Sequence, residues 1–243
     1  MRVTVAVLAY DEVGNLAHVV DDARAGLAAV GASSDGEVLV VDDGSTDGTS
    51  ELADVLAARF ANVRVVHHER NRGFSGAMIS CLREARGDWI FLGPADGQSK
   101  MSVLPAFLAR SAEADIVVGV RESRPDHLGR RLMSRAFHTL ARSLLAIPVR
   151  EFSALFLFRR ALIDTMPLRS RPRGATLLPE VISRAHLRGA TIATIPVAQY
   201  PRRSGRAKGG QLSVALLTLV ELLRIAALVR FDEMRKVRRA VTT

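Results

Sequence analysis

A run of four apolar residues that breaks abruptly into acid constrains this chain more than any other feature. Val38-Leu39-Val40-Val41 is β-branched at three of its four positions. Such a run suits a central strand buried on both faces of a parallel sheet. Asp42-Asp43-Gly44-Ser45-Thr46-Asp47-Gly48-Thr49 follows at once, before Ser50-Glu51-Leu52-Ala53 opens a helical pattern with Asp47 as its expected N-cap. Strand, acidic loop and helix in that order place the acids at the carboxyl end of a strand, where open α/β sheets bind ligands. Two plainer uses of the loop compete. One is a solvated acidic turn. The other is calcium binding, since Asp43-x-Ser45-x-Asp47-Gly48 with Asp54 half-matches a calcium loop. That loop requires a helix before it, where a β-branched run stands.

The alternation continues on both sides. Val3–Leu8 reads as a strand ending at Ala9-Tyr10-Asp11-Glu12, and Asn15–Ala29 as a helix with Leu16, Val19, Val20, Ala23 and Leu27 on one face. After the acidic loop come a helix to about Phe60, a strand Val63–Val66, and a glycine-opened helix start at Asn71-Arg72-Gly73-Phe74-Ser75-Gly76-Ala77. A fourth strand, Trp89–Leu92, closes on Gly93-Pro94-Ala95-Asp96-Gly97-Gln98. Strand–helix alternation is the α/β signature. At 243 residues the chain can form one large domain of this kind. The lone Cys81 excludes an internal disulfide, fits a reducing compartment and reads as a small core residue. The first apolar stretch soon meets Asp11-Glu12, so no secretory signal is expected there.

Lys and Arg number 34 against 25 acids, a net charge of +9, which implies an anionic partner. The excess is concentrated from Arg121 onward and around the last apolar stretch, with few aromatics beside it. That distribution disfavours nucleic acid and favours an anionic membrane surface or phosphorylated ligands.

Several strings, in their order along the chain, resemble family-2 glycosyltransferases. These are Leu8-Ala9-Tyr10-Asp11-Glu12, the Asp42-Asp43 loop, Asn71-Arg72-Gly73-x-x-Gly76-Ala77, Ile116-Val117-Val118-Gly119-Val120-Arg121 and Arg202-Arg203-Ser204-Gly205-Arg206-Ala207-Lys208. The last is similar to a segment of the polyprenyl-phosphate branch, the dolichyl-phosphate-mannose-synthase-like enzymes. The resemblance implies a GT-A fold over residues 1–205, a Rossmann-like and mostly parallel sheet flanked by helices, and a basic, amphipathic helical tail over 206–243. It implies a donor nucleotide held by Leu8, Ala9, Tyr10, Glu12, Asp42, Asp43, Gly73, Ala95 and Asp96. Asp96, Arg121, Arg202 and Lys208 would be catalytic, and Arg131, Ser134 and Glu180 would meet the acceptor phosphate. Mg²⁺ or Mn²⁺ would sit on Asp96 and Gln98. The family's first metal acid is Pro94 here, so weak metal binding is expected. Leu155 stands where the family often carries glycine, and Ala207 where it has serine. The histidines show no metal spacing and receive no site.

The implied reaction is inverting transfer of a sugar from a UDP- or GDP-linked donor to a polyprenyl phosphate at the cytoplasmic membrane face, by a peripherally associated protein. A soluble acceptor and a catalytically silent donor-binding subunit are the alternatives. A helix over Leu212–Val229 would reach about 27 Å. Spanning a bilayer would bury Glu221 or Arg224 at about 2.5–3.5 kcal/mol each. An interfacial position avoids that cost, with Arg230, Arg235, Lys236, Arg238 and Arg239 facing anionic headgroups. Packing on the catalytic domain, or in a homodimer, remains open.

Overall fold

The computed structural model describes residues 1–33, 35–122, 128–152, 155–201 and 212–241, and the side chains of these except at 128–132, 212–217 and 235–241. One seven-stranded sheet organises them, in the order β3-β2-β1-β4-β6-β5-β7. Its strands are β1 (Val3–Ala9), β2 (Glu37–Asp42), β3 (Val63–His67), β4 (Trp89–Pro94), β5 (Ile116–Arg121), β6 (Phe156–Arg159) and β7 (Ile192–Val197). Every pairing is parallel except those of β6, which runs antiparallel to both β4 and β5.

β1 and β2 are buried along their whole length, as continuous apolar runs require. Alternate side chains feed two cores. Val3, Val5, Val7 and Ala9 pack on one face beneath α1 (Val13–Ala29), α2 (Thr49–Arg59), the 3₁₀ turn Met101–Val103, and α4 (Leu104–Leu108). Ala6 and Leu8 pack on the other, with α3 (Phe74–Glu84), α5 (Leu128–Leu145) and α7 (Leu177–Leu187). The short α6 (Arg160–Asp164) follows β6 directly.

The C-terminal helix, α8 (Leu212–Val241), takes up the packing on the domain that the sequence left open. It packs against α5 and α7 and places Leu222, Ile225, Ala226 and Val229 in the second core. Two polar residues of the helix, Thr218 and Glu221, also lie on this buried side. Glu221 is tolerated there because Arg224 and the Arg171 backbone N–H bind its carboxylate. The expected boundary near residue 205 lies outside the described residues, but the helix beyond it is part of the domain's packing. Its opposite face exposes Leu219, Val220, Leu223, Phe231 and Met234.

The register fixes where a ligand can sit. Leu8 pairs with both Val41 and Pro94, Ala9 with Asp42, and Asp42 with His67. The carboxyl ends of β1, β2, β3 and β4 therefore form one ledge. Strand order reverses between β1 and β4, the switch point at which doubly wound sheets open a crevice.

Candidate functional site

Both acids of the ledge are buried and held by named donors. Asp42 accepts the Ser45 backbone N–H (3.1 Å), the Ser50 hydroxyl (2.6 Å) and a bond with His67 Nδ1 (2.9 Å). Asp43 accepts the backbone N–H groups of Arg72 (2.8 Å) and Gly73 (2.9 Å) and bonds His68 Nδ1 (2.7 Å). Burial alone would raise the Asp42 pKa, but these hydrogen bonds outweigh it and lower it. These bonds occupy at least three of roughly four acceptor positions on each carboxylate.

Strand geometry explains the histidine pair. Consecutive residues point to opposite faces of a sheet. His67 reaches Asp54 of α2 through Nε2 at 3.0 Å, whereas His68 reaches Ser80 of α3 at 2.8 Å. Each acid is thus tied through a histidine to a different helix. Burial would lower the His67 pKa, yet its bonds to Asp42 and Asp54 prevail and raise it. Sequence reasoning gave these histidines no site, since only strand register brings them beside the acids.

The loops are stitched together around this pair. Asp11 N–H donates to Ser45 Oγ, Thr46 N–H to Asp11 Oδ1, and Glu12 N–H to Thr49 Oγ1. Gly44 has a positive φ of 71°, and a Cβ there would meet the Arg70 carbonyl carbon at 2.7 Å. A glycine is needed for that close approach. Gly48, with a φ of 95°, holds the N-cap position of α2 that was expected for Asp47. Asp47 still satisfies the helix start, since its carboxylate accepts the Thr49 N–H at 3.0 Å.

Leu8, Ala9, Tyr10, Glu12, Asp42, Asp43, Gly73, Ala95 and Asp96 all lie along the ledge or on its loops, with Ala95 N–H bonded to Leu8 O at 2.7 Å. Asp96 and Gln98 stand together beyond β4, and the Gln98 N–H donates to Asp96 Oδ1 at 3.0 Å. Their side chains offer hard oxygen donors of the kind Mg²⁺ and Mn²⁺ prefer. Among the described residues no three His, Cys, Asp or Glu side chains form a metal-holding group. Arg121 ends β5 on the same edge of the sheet, its Nε 4.0 Å from a Glu151 carboxylate oxygen.

The other expected site residues, catalytic Arg202 and Lys208 and acceptor-side Arg131, Ser134 and Glu180, are described only in part. Ser134 is half-buried on α5, the Arg131 side chain is outside the described ones, and Arg202 and Lys208 lie outside the described residues. Glu180 is not in an open acceptor space. It is fully buried on α7 and accepts the N–H groups of Arg169 (2.8 Å) and Ser170 (2.7 Å) and Arg184 Nε (2.9 Å). Its carboxylate anchors a loop. Cys81 is a buried core residue, and burial pushes its thiol pKa far above the usual range.

Known proteins match this chain over most of its length. The model of glycosyl transferase family 2 matches residues 4–173. The undecaprenyl-phosphate 4-deoxy-4-formamido-L-arabinose transferases of Salmonella paratyphi A and Salmonella dublin are each 30% identical over 211 residues. Those matches cover 85% of this chain, which spans only 62% of each relative. Glucosyl-3-phosphoglycerate synthase from Mycobacterium tuberculosis, solved with phosphoglyceric acid, superposes with a TM-score of 0.69 at 19% identity, over 93% of this chain and 80% of the other. The same enzyme with Mn²⁺, UDP-glucose and phosphoglyceric acid gives 0.68 at 17% identity, again over 93% and 80%. The chain therefore has the GT-A fold and belongs to glycosyl transferase family 2.

Proposed function

We propose that the protein transfers a sugar from a UDP- or GDP-linked donor to the phosphate of a polyprenyl phosphate. One observation carries the acceptor: the match, over 85% of the chain, to transferases named for undecaprenyl phosphate. The ledge formed by β1, β2 and β4 supports the donor half of the reading, because its acids, loop N–H groups and switch-point crevice suit a nucleotide diphosphate.

A phosphate monoester is already ionised at neutral pH and attacks without a strong general base. The obstacle is charge, since two anions approach and negative charge gathers on the leaving diphosphate. Fixed positive groups therefore supply most of the stabilisation. Arg121 lies on the same edge as Asp96, two strand spacings or about 10 Å across from β4. Arg202 and Lys208 are the other cations of this proposal, with Arg131 and Ser134 toward the acceptor phosphate. Asp96 and Gln98 would hold Mg²⁺ or Mn²⁺, weakly because Pro94 brings no ligand. When bound, such an ion neutralises charge on the diphosphate.

The outward face of α8, Leu219, Val220, Leu223, Phe231 and Met234, supports contact with an anionic membrane surface at its cytoplasmic side. Basic residues at 230, 235, 236, 238 and 239 continue the same helix. Among the described residues no helix is long and apolar enough to cross a membrane. Homodimer packing is the other use of that face. The deciding experiment is a UDP- and GDP-sugar panel with a short polyprenyl phosphate, with and without Mg²⁺ or Mn²⁺. Lipid-linked product is expected. Product only on a soluble phosphorylated acceptor would replace the lipid, and donor binding without turnover would leave a silent subunit.

A further inference from the structure

Two carboxylates assigned to anchoring, Glu180 and Glu221, converge on one short segment. Arg169-Ser170-Arg171-Pro172-Arg173 carries three arginines in five residues. Glu180 of α7 accepts the N–H groups of Arg169 and Ser170, and Glu221 of α8 accepts the Arg171 N–H at 2.9 Å. Beyond that point the segment is fastened to the start of α3. The Gly76 N–H donates to Pro172 O at 2.9 Å, and the Ser75 hydroxyl donates to Gly174 O at 2.6 Å. Both ends of a basic loop are thereby fixed by buried or half-buried groups.

The three arginines differ in what they face. Arg169 Nε lies 3.7 Å from Asp232, and Arg171 Nε lies 3.6 Å from Glu221. Arg173 is exposed, and no carboxylate among the described residues pairs with it. Its backbone lies against Gly73: a Cβ at that glycine would meet Arg173 Cα at 2.9 Å and Cγ at 3.1 Å. Gly73 is the residue whose N–H Asp43 holds, on the loop assigned to the donor. A cation with a fastened backbone, and a guanidinium that no described carboxylate pairs with, thus stands beside the loop assigned to the donor.

We infer that Arg173 is a further phosphate-binding residue of this site, one that takes a fork of oxygens on the donor diphosphate or on the acceptor phosphate. The inference rests on the transferase reading above. Its physical basis is preorganisation: Glu221, Gly76 and Ser75 hold the loop before any ligand arrives, so only the side chain is ordered on binding. The guanidinium's planar fork suits phosphate oxygens better than a point charge does. A larger residue at position 73 would displace this arginine as well as strain the loop, where φ is 86°.

The test compares wild type, Arg173→Ala and Arg173→Lys, with Arg59→Ala as a control that removes one surface charge from the far end of α2. Calorimetry with UDP, GDP and inorganic pyrophosphate reports the donor arm. The KM for a short polyprenyl phosphate reports the acceptor arm, and melting temperature reports folding. Arg173→Ala is expected to weaken one arm by about 10- to 100-fold. Arg173→Lys should be intermediate, and Arg59→Ala unchanged, with all melting temperatures alike. Loss of diphosphate and pyrophosphate affinity assigns the donor, and loss confined to KM assigns the acceptor phosphate. If wild type binds and turns over but Arg173→Ala is within twofold in both arms, the inference is overturned and the transferase reading stands. If wild type binds none of the probes, both fall.

Discussion

Asp43 offers the sharpest test of how the ledge is built, because its carboxylate holds a loop and a histidine together and is proposed to meet the donor as well. Asp43→Ala removes three bonds at once: those from the Arg72 and Gly73 N–H groups and that with His68. His68 is only 2% exposed at its side chain, so its Nδ1 loses a partner that water does not readily replace. One charge-assisted bond lost outright is worth about 1.5–3 kcal/mol. The two backbone groups lie on a half-buried loop where water can substitute, at about 0.5 kcal/mol each. The sum is about 2.5–4 kcal/mol, which for a domain of this size lowers the melting temperature by about 5–15 °C. Thermal melts followed by the single buried Trp89, alongside calorimetry with UDP and GDP, measure both consequences. Affinity should fall with stability, because the Arg72–Gly73 loop relaxes. A melting temperature within about 2 °C of wild type would refute the reasoning, whatever happened to binding.

Further outcomes are expected. The raised His67 pKa means its ion pair with Asp42 is complete below the ordinary histidine value and is lost as pH rises through the raised one. Wild type should therefore lose up to about 1 kcal/mol more than His67→Gln across that rise, a small figure because His67 is over a third exposed; parallel melting curves against pH would contradict it. Below it, the lowered Asp42 pKa removes the same pair as pH falls through the carboxylate range. Pro94→Asp should tighten Mn²⁺ activation of turnover, and tight wild-type activation unchanged by the substitution would show that other ligands hold the ion. Leu222→Ala should cost about 2–5 kcal/mol in urea unfolding. Leu223→Glu, one residue away on the exposed face, should cost little but release the protein from anionic vesicles in sedimentation.

The strands that build the ledge were legible because burial on both faces leaves a continuous apolar run, as in Val38–Val41 and Trp89–Leu92. β6 was not, since Phe156–Arg159 is four residues long and becomes a strand only by pairing with β4 and β5. The amphipathic character of α8 was visible, but not which face is buried. Glu221 marks the inner side, and part of what makes that burial tolerable, the Arg171 backbone N–H, lies fifty positions away. Glu180 misled for a similar reason: an acid at a helix start looks the same whether it meets a substrate or a neighbouring loop. The ledge acids Asp42 and Asp43 stood out in the local sequence, whereas their histidine partners needed strand register.

The docking of α8 also sets the order in which the molecule can be finished. Synthesis runs from the amino terminus, and structure forms as the chain emerges. The sheet and its first core can close without α8, but the second core includes Leu222, Ile225, Ala226 and Val229. Until those residues leave the ribosome, the surfaces of α5 and α7 that they cover stay wet. Between the synthesis of α7 and that of Val229 the nascent protein therefore carries an open apolar groove. Closing it waits for α8 and is a late step of folding.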